Sequence, residues 1–324
     1  MTLAIRIEEV GGPEALQLRE VELPDPGPGE LRVAVRAAGV NFIDVYFRTG
    51  QYTRPLPFGA GLEGAGVVEA MGPEVEGFQR GDRVAWASAP GSYAESVIVP
   101  ASGVVTIPNA VSDETAAAVM LQGMTAHYLT HGVVETRPGD RVLVHAAAGG
   151  TGLLLVQLLK AAGAYVIGTC STREKEVLAL RAGADRIIRY GEVSFPDEVL
   201  HVTAGRGVDV VYDSVGKATF EGSLACLRNR GLLCSFGQSS GPVPPFDIGR
   251  LNHAGSLFVT RPSLFHYVAD REELERRSTA VMEAVSANRL VVRIGARYPL
   301  SDAAEAHRAL ESRETTGKLL LIPG

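Results

Sequence analysis

The chain has only three cysteines, Cys170, Cys226 and Cys234, in 324 residues. Three well-separated thiols build neither a disulfide framework nor a four-thiolate zinc knot, which points to a reducing, cytoplasmic setting. Long apolar runs are missing too. The most apolar stretch, residues 152–168, is broken by Lys160 and falls short of a membrane span. The opening MTLAIRIEEV already carries charges and holds no signal-peptide core. Positive charge is not in surplus: 31 Lys and Arg against 37 Asp and Glu give a formal net charge of −6, which disfavours nucleic acid as the main partner. Glycine is what the chain has in excess, 37 residues where about 7% is usual. An apolar share of 46% excludes a disordered chain, and 34.3 kDa suffices for one large core or two ordinary domains.

The first hundred residues read as β-rich. Runs at 15–23, 31–40, 64–72, 83–87 and 93–99 are separated by Pro and Gly punctuation such as PDPGPGE at 24–30. Short strands at this spacing predict a rolled-up, antiparallel sheet. The rhythm changes near Ser112, where a helix signal begins, and from Asp140 apolar strands alternate with amphipathic helices. Strands are expected at 141–146, 165–169, 186–190, 208–216 and 231–237, with helices between them, one of which runs to Asn229. That alternation predicts a parallel sheet covered on both faces. The tail adds a helix at 271–289, a second one from Ser301, and a closing strand at 318–323.

The sharpest local pattern is HAAAGGTG, 145–152, directly after an apolar strand and before a helix. It meets the dinucleotide-binding turn G-x-G-x-x-G at its last two glycines, Gly149 and Gly152, with Ala147 in the first place. Ala148, Gly149, Gly150, Thr151 and Gly152 are therefore candidate pyrophosphate contacts at a helix N-terminus; a ligand-free tight turn is the other reading. The next strand runs into GTCSTREKE, 168–176, where NAD binders usually place an acid. Here stand Ser171, Thr172, Arg173 and Lys175, hydroxyls and cations suited to a 2′-phosphate and hence to NADPH. An ordinary solvated helix start would look the same. Asp213 in VYDSVG stays open between a turn residue and a ligand contact.

The segment GDRVLVHAAAGGTGLLLVQLLK, 139–160, resembles the signature of the quinone oxidoreductase/zeta-crystallin group of zinc-independent medium-chain dehydrogenases/reductases. The stretches 39–52, 61–68, 211–216, 235–241 and 259–264 are similar to that family as well. The resemblance implies an α/β architecture: a GroES-like β-barrel catalytic domain from 1–123 and 265–324, and a Rossmann doubly wound, parallel-sheet domain at 124–264, with substrate and nicotinamide meeting in the cleft between them. Asn41, Asp44, Tyr46 and Tyr52 match positions that line the family's active site. Either tyrosine is a candidate donor to a substrate oxygen, while Asn41 and Asp44 would orient the site or the nicotinamide ribose. By the same matching, Thr125, Tyr190, Phe236, Gly237 and Ser239 look like cofactor contacts. Lys318 resembles a basic position near the cofactor, with an ordinary surface cation as the alternative.

Zinc-dependent alcohol dehydrogenases of the superfamily place a ligand Cys where this chain has Asn41 and a ligand His where it has Leu62, leaving Glu63 without partners. The seven histidines show no paired metal spacing. The expectation is a metal-independent enzyme, which favours an acceptor that is already electrophilic. NADPH-dependent reduction of a small-molecule quinone leads. The alternatives are reduction of an activated alkene (an alkenal, enone or enoyl thioester) and a non-catalytic NADPH-binding role. A homodimer is implied, with 255–262 as a pairing strand, and no membrane insertion.

Overall fold

The computed structural model describes all of residues 1–324. Alternation in LRVAVRAAGV sets the first layer: Leu31, Val33, Val35 and Ala37 turn inward while Arg32 and Arg36 stay wet. The strands in chain order are β1 Thr2–Ile7, β2 Gln17–Val21, β3 Glu30–Val40, β4 Phe58–Gly59, β5 Glu63–Met71, β6 Arg83–Trp86, β7 Ser96–Pro100 and β8 Val104–Thr106. They continue as β9 Arg141–Val144, β10 Tyr165–Cys170, β11 Arg186–Arg189, β12 Val208–Asp213, β13 Leu227–Ser235, β14 Phe258–Thr260, β15 Ile294–Pro299 and β16 Lys318–Ile322. The chain divides into two compact units, Met1–Met124 with Val268–Gly324, and Thr125–Tyr267.

In the first unit a seven-stranded sheet runs β15-β16-β3-β5-β6-β8, with β7 also paired to β3, and β2-β1-β4 form a smaller sheet. All of these pairs are antiparallel except β15 with β16. The tail joins the first segment because β16 pairs with β3 in the register Leu319↔Val40. Trp86, Leu31, Val99 and Leu321 lie in its apolar core. A short helix, α1 Phe42–Arg48, interrupts a stretch in which only strands were expected. Its sequence FIDVYFR is rich in β-branched and aromatic residues, but a capping box joining Asn41 and Asp44 starts it. Residues 93–95 are not part of β7: Tyr93 and Ala94 pair with β1, a strand that the charged N-terminus concealed.

In the second unit six parallel strands run β11-β10-β9-β12-β13-β14. β12 is buried throughout, as a central strand covered on both faces must be. The helices α3 Gly150–Ala161, α4 Arg173–Arg181, α5 Phe195–Val202 and α6 Phe220–Ala225 alternate with the strands of this sheet, and α2 Asp113–Tyr128 runs across the boundary between the two units in sequence. The helix expected to reach Asn229 stops at Ala225, because β13 already starts at Leu227, pairing with β12. Further along come α7 Gly249–His253, α8 Leu264–Tyr267, α9 Arg271–Ser286 and α10 Ala303–Glu311, the last two in the first unit. No helix is long and apolar enough to cross a membrane.

Candidate active site

Sequence order reverses beside β9, with β10 and β11 on one side and β12, β13 and β14 on the other. In open parallel sheets the crevice at such a switch point, outside the carboxyl ends of the strands, takes the ligand. Most of the expected cofactor residues collect at that edge. Ala148–Gly152 follow β9, Ser171–Lys175 follow β10, Tyr190 follows β11, and Phe236, Gly237 and Ser239 follow β13. Gly149 is the N-cap of α3 in extended conformation and no side chain caps it, so the first-turn amides are left to a ligand. A Cβ on Gly152 would stand 2.3 Å from the Ala146 carbonyl oxygen, so only glycine lets helix and turn close up. Gly237 is equally confined, 2.5 Å from the Ser214 oxygen. These features fit a dinucleotide. Ser171 and Arg173 are exposed, Tyr190 is half-exposed, and Thr125 is buried on α2. Thr172 is the N-cap of α4, its hydroxyl accepting from the Lys175 amide.

Asp213 is resolved as a turn residue. Its Oδ1 accepts from the Val215 and Gly216 amides at 2.7 and 3.0 Å, and Thr219 and Ser223 hydroxyls donate to Oδ2. All three cysteines are free and buried, and burial pushes the Cys226 and Cys234 thiols up to about 12.

The first unit holds a second polar centre, at the end of β3. The Lys318 ammonium, on β16, donates to Asn41 Oδ1 at 2.6 Å and to Glu63 Oε2. Glu63 is fully buried at the start of β5, and its other oxygen accepts from the Leu121 amide at 2.6 Å. Asn41 Nδ2 donates to Glu63 at 2.8 Å and to the Gly39 carbonyl at 3.2 Å. Lys318 is 1% exposed, which overturns the surface-cation alternative. Asp44, on α1, accepts from the Asn41 amide at 2.9 Å and from the Tyr93 hydroxyl at 2.8 Å, both at Oδ2. Oδ1 is buried without a partner. Burial raises the Asp44 carboxyl to about 7 against the opposing pull of these bonds and of Lys318. Tyr93 also meets His307 Nε2 at 3.2 Å. Burial and the Arg48 charge hold His307 down at about 3, hence neutral. With the Tyr93 proton on Asp44, the imidazole must donate from Nε2, which leaves Nδ1 bare. Tyr46 and Tyr52 pack ring against ring, 5.2 Å apart and edge-on.

Two family models match the chain, the alcohol dehydrogenase GroES-like domain over residues 27–109 and the zinc-binding dehydrogenase family over 150–275. A quinone oxidoreductase of Pseudomonas aeruginosa is 45% identical over 325 residues, covering 100% of both chains. The chain belongs to the quinone oxidoreductase family. The crystal structure of Escherichia coli quinone oxidoreductase complexed with NADPH superposes with a TM-score of 0.97 at 44% identity, covering 99% of this chain and 100% of that one. A 2-haloacrylate reductase of a Burkholderia species is 41% identical over 332 residues, 100% of this chain and 99% of its own.

The zinc that one family model's description mentions does not fit these residues. Of the three positions, Asn41 is an amide, Leu62 is aliphatic, and Glu63 has both oxygens engaged, one by an internal cation. Nowhere do three His, Cys, Asp or Glu side chains gather to hold a metal.

The structure brings Asn41, Asp44 and Lys318 into one network and leaves Tyr46 and Tyr52 in an adjoining aromatic cluster. Sequence reasoning missed Tyr93 and His307, which no local pattern announces. The Asn41–Asp44 capping spacing was readable and would have revealed α1.

Proposed function

We propose that the protein uses NADPH to reduce quinones in a metal-independent reaction. The observation that carries this reading is the whole-length likeness to quinone oxidoreductases; the glycine turn on an uncapped helix, one strand away from a strand end with no acid before Glu174, supports the cofactor assignment. When bound, NADPH supplies a hydride.

In this reading the α3 amides from Gly150 to Gly152 bind the pyrophosphate, and Ala148 and Gly149 give it close backbone approach. Ser171, Arg173 and Lys175 answer the 2′-phosphate, while Thr172 shapes that loop as a cap. Tyr190 would hold the adenosine side, and Thr125, Phe236, Gly237 and Ser239 the nicotinamide side. The hydroxyl of Tyr52 or Tyr46 would donate to the quinone oxygen on which negative charge develops during reduction. Asn41 and Asp44 hold the floor of that site, and Lys318 acts through Asn41, fixing its amide. A cytoplasmic homodimer completes the proposal, supported by β14, which ends its sheet with Phe258 61% exposed; a solution mass of twice 34.3 kDa checks it.

The 2-haloacrylate reductase relative favours a second reading, reduction of an activated alkene. Steady-state kinetics decide both points. kcat/KM should be at least tenfold higher with NADPH than with NADH, and 1,4-benzoquinone should outrun a 2-alkenal. Equal use of the two cofactors would refute the 2′-phosphate site, and faster alkenal turnover would replace the quinone.

A further inference from the structure

Arg54 follows the tyrosine pair closely in sequence and shares its aromatic cluster. Its guanidinium carbon lies 4.3 Å from the ring centroid of Phe47 and 5.5 Å from that of Phe58. Phe47 packs edge-on against Tyr52 at 5.7 Å, and Tyr52 against Tyr46 at 5.2 Å. The guanidinium is therefore held against an aromatic surface next to the two hydroxyl-bearing rings.

The group is half-buried, and burial lowers its pKa from the ordinary arginine value. Even so, it makes no hydrogen bond and no ion pair with any protein group. Guanidinium carries five N–H donors in a planar fork. The ring contacts occupy none of these donors, which stay available to receive a carboxylate or sulfonate bidentately. Asp44 is the one acid whose charge acts on Arg54, and its carboxyl is half-protonated near neutrality, so it neutralises the guanidinium only in part.

We propose that Arg54 is a specificity-determining residue that selects acceptors bearing a carboxylate or sulfonate beside the reducible ring. The proposal rests on the assignment of Tyr46 and Tyr52 to the substrate side. The unpaired N–H donors of the guanidinium grip the anionic substituent, and the tyrosines face the ring oxygen. No extra redox partner is required, since the substituent is bound and left unchanged.

The test compares a neutral naphthoquinone with a sulfonated one in the wild type, R54M and R54K. The ratio of kcat/KM for the sulfonated over the neutral acceptor should fall about tenfold in R54M, mainly through KM, with R54K in between. A ratio unchanged in R54M overturns the proposal. A second measurement needs no variant. Naphthalene-2-sulfonate should inhibit the wild type competitively against quinone, at least tenfold more tightly than the neutral sulfonamide, and the advantage should shrink with added salt. Equal inhibition by the two, or competition against NADPH instead, also overturns it. If the wild type reduces no quinone at all, the functional reading fails, and the inhibitor pair can still be scored by displacement of a bound fluorescent quinone analogue.

Discussion

Each unit buries a polar cluster, Asp213 with His145 in one and Asp44 with Glu63 in the other, and the two are finished to different degrees. In the nucleotide-type unit, Asp213 is surrounded by neutral donors and His145 has both nitrogens paired, Nδ1 with Thr169 at 2.9 Å and Nε2 with Ser223 at 3.0 Å. Ser223 gives its proton to Asp213, so the imidazole donates from Nε2 and accepts at Nδ1, consistent with a pKa lowered by burial. In the barrel-type unit, two carboxylates, an ammonium and a guanidinium are buried together with an imidazole. Asp44 Oδ1, Arg48 Nε and Nη1, and His307 Nδ1 remain without partners. A satisfied network fixes a backbone; a half-satisfied one holds charge and protons ready at the cost of stability. The first cluster is complete as a scaffold, and the second is the one beside which the proposed chemistry is placed.

The largest expected effect comes from opening the ion pair of the barrel-type unit. Lys318→Met removes one partner of a pair that is at most 1% exposed and strands Glu63 in the interior. Such a loss costs about 3–5 kcal/mol, read in the denaturation midpoint. Replacing Glu63 by Leu as well should recover most of it, because two apolar side chains leave no bare charge. A double variant no more stable than Lys318→Met would mean that the carboxylate is satisfied without its cation, and the contrast between the clusters would narrow.

The pH response sharpens the same contrast. Asp44 rises from 3.8 to about 7 in the folded chain. The folded state thus binds that proton more tightly, and the associated stability is lost as pH climbs from about 4 through about 7. His307 runs the other way: lowered to about 3, it removes stability as pH falls from 6.5 towards 3. Between about 4 and 6.5 the two slopes oppose, so the wild-type curve should be nearly flat there. Asp44→Asn keeps an acceptor for Asn41 and Tyr93 yet cannot ionise. Its stability relative to the wild type should grow by about 2 kcal/mol between pH 5 and 7, at about 1.4 kcal/mol per unit at first and half that near pH 7. Parallel curves would show that Asp44 is already ionised in the folded protein.

How far the sequence carried depends on range. The parallel sheet, its glycine turn and the acid-free end of β10 were legible because each is written in a few consecutive residues whose period or spacing is itself the physical requirement. The helix α1 was obscured by β-formers, although Asn41 and Asp44 mark its start. The Glu63–Lys318 pair spans 255 positions and Tyr93–His307 spans 214. No spacing rule links such partners, and Lys318 in isolation reads like any surface lysine. Only the antiparallel pairing of β16 with β3 brings it inside.

The smallest effect puts two histidines side by side. His145→Leu leaves the Thr169 hydroxyl without its acceptor and removes the donor to Ser223, both in a fully buried position. His307→Leu removes a ring with one partner, and Tyr93 keeps its bond to Asp44. Leaving buried polar groups unpaired costs about 1–3 kcal/mol, whereas deleting one that was already unpaired returns part of that penalty. His145→Leu should therefore destabilise by about 1–2 kcal/mol more than His307→Leu when both are measured at pH 7.5, where both imidazoles are neutral. The comparison is free of charge effects at that pH, so it isolates hydrogen-bond completion. An equal or reversed order would place the unfinished network in the nucleotide-type unit, and placing the proposed chemistry beside the barrel-type cluster would lose its physical basis.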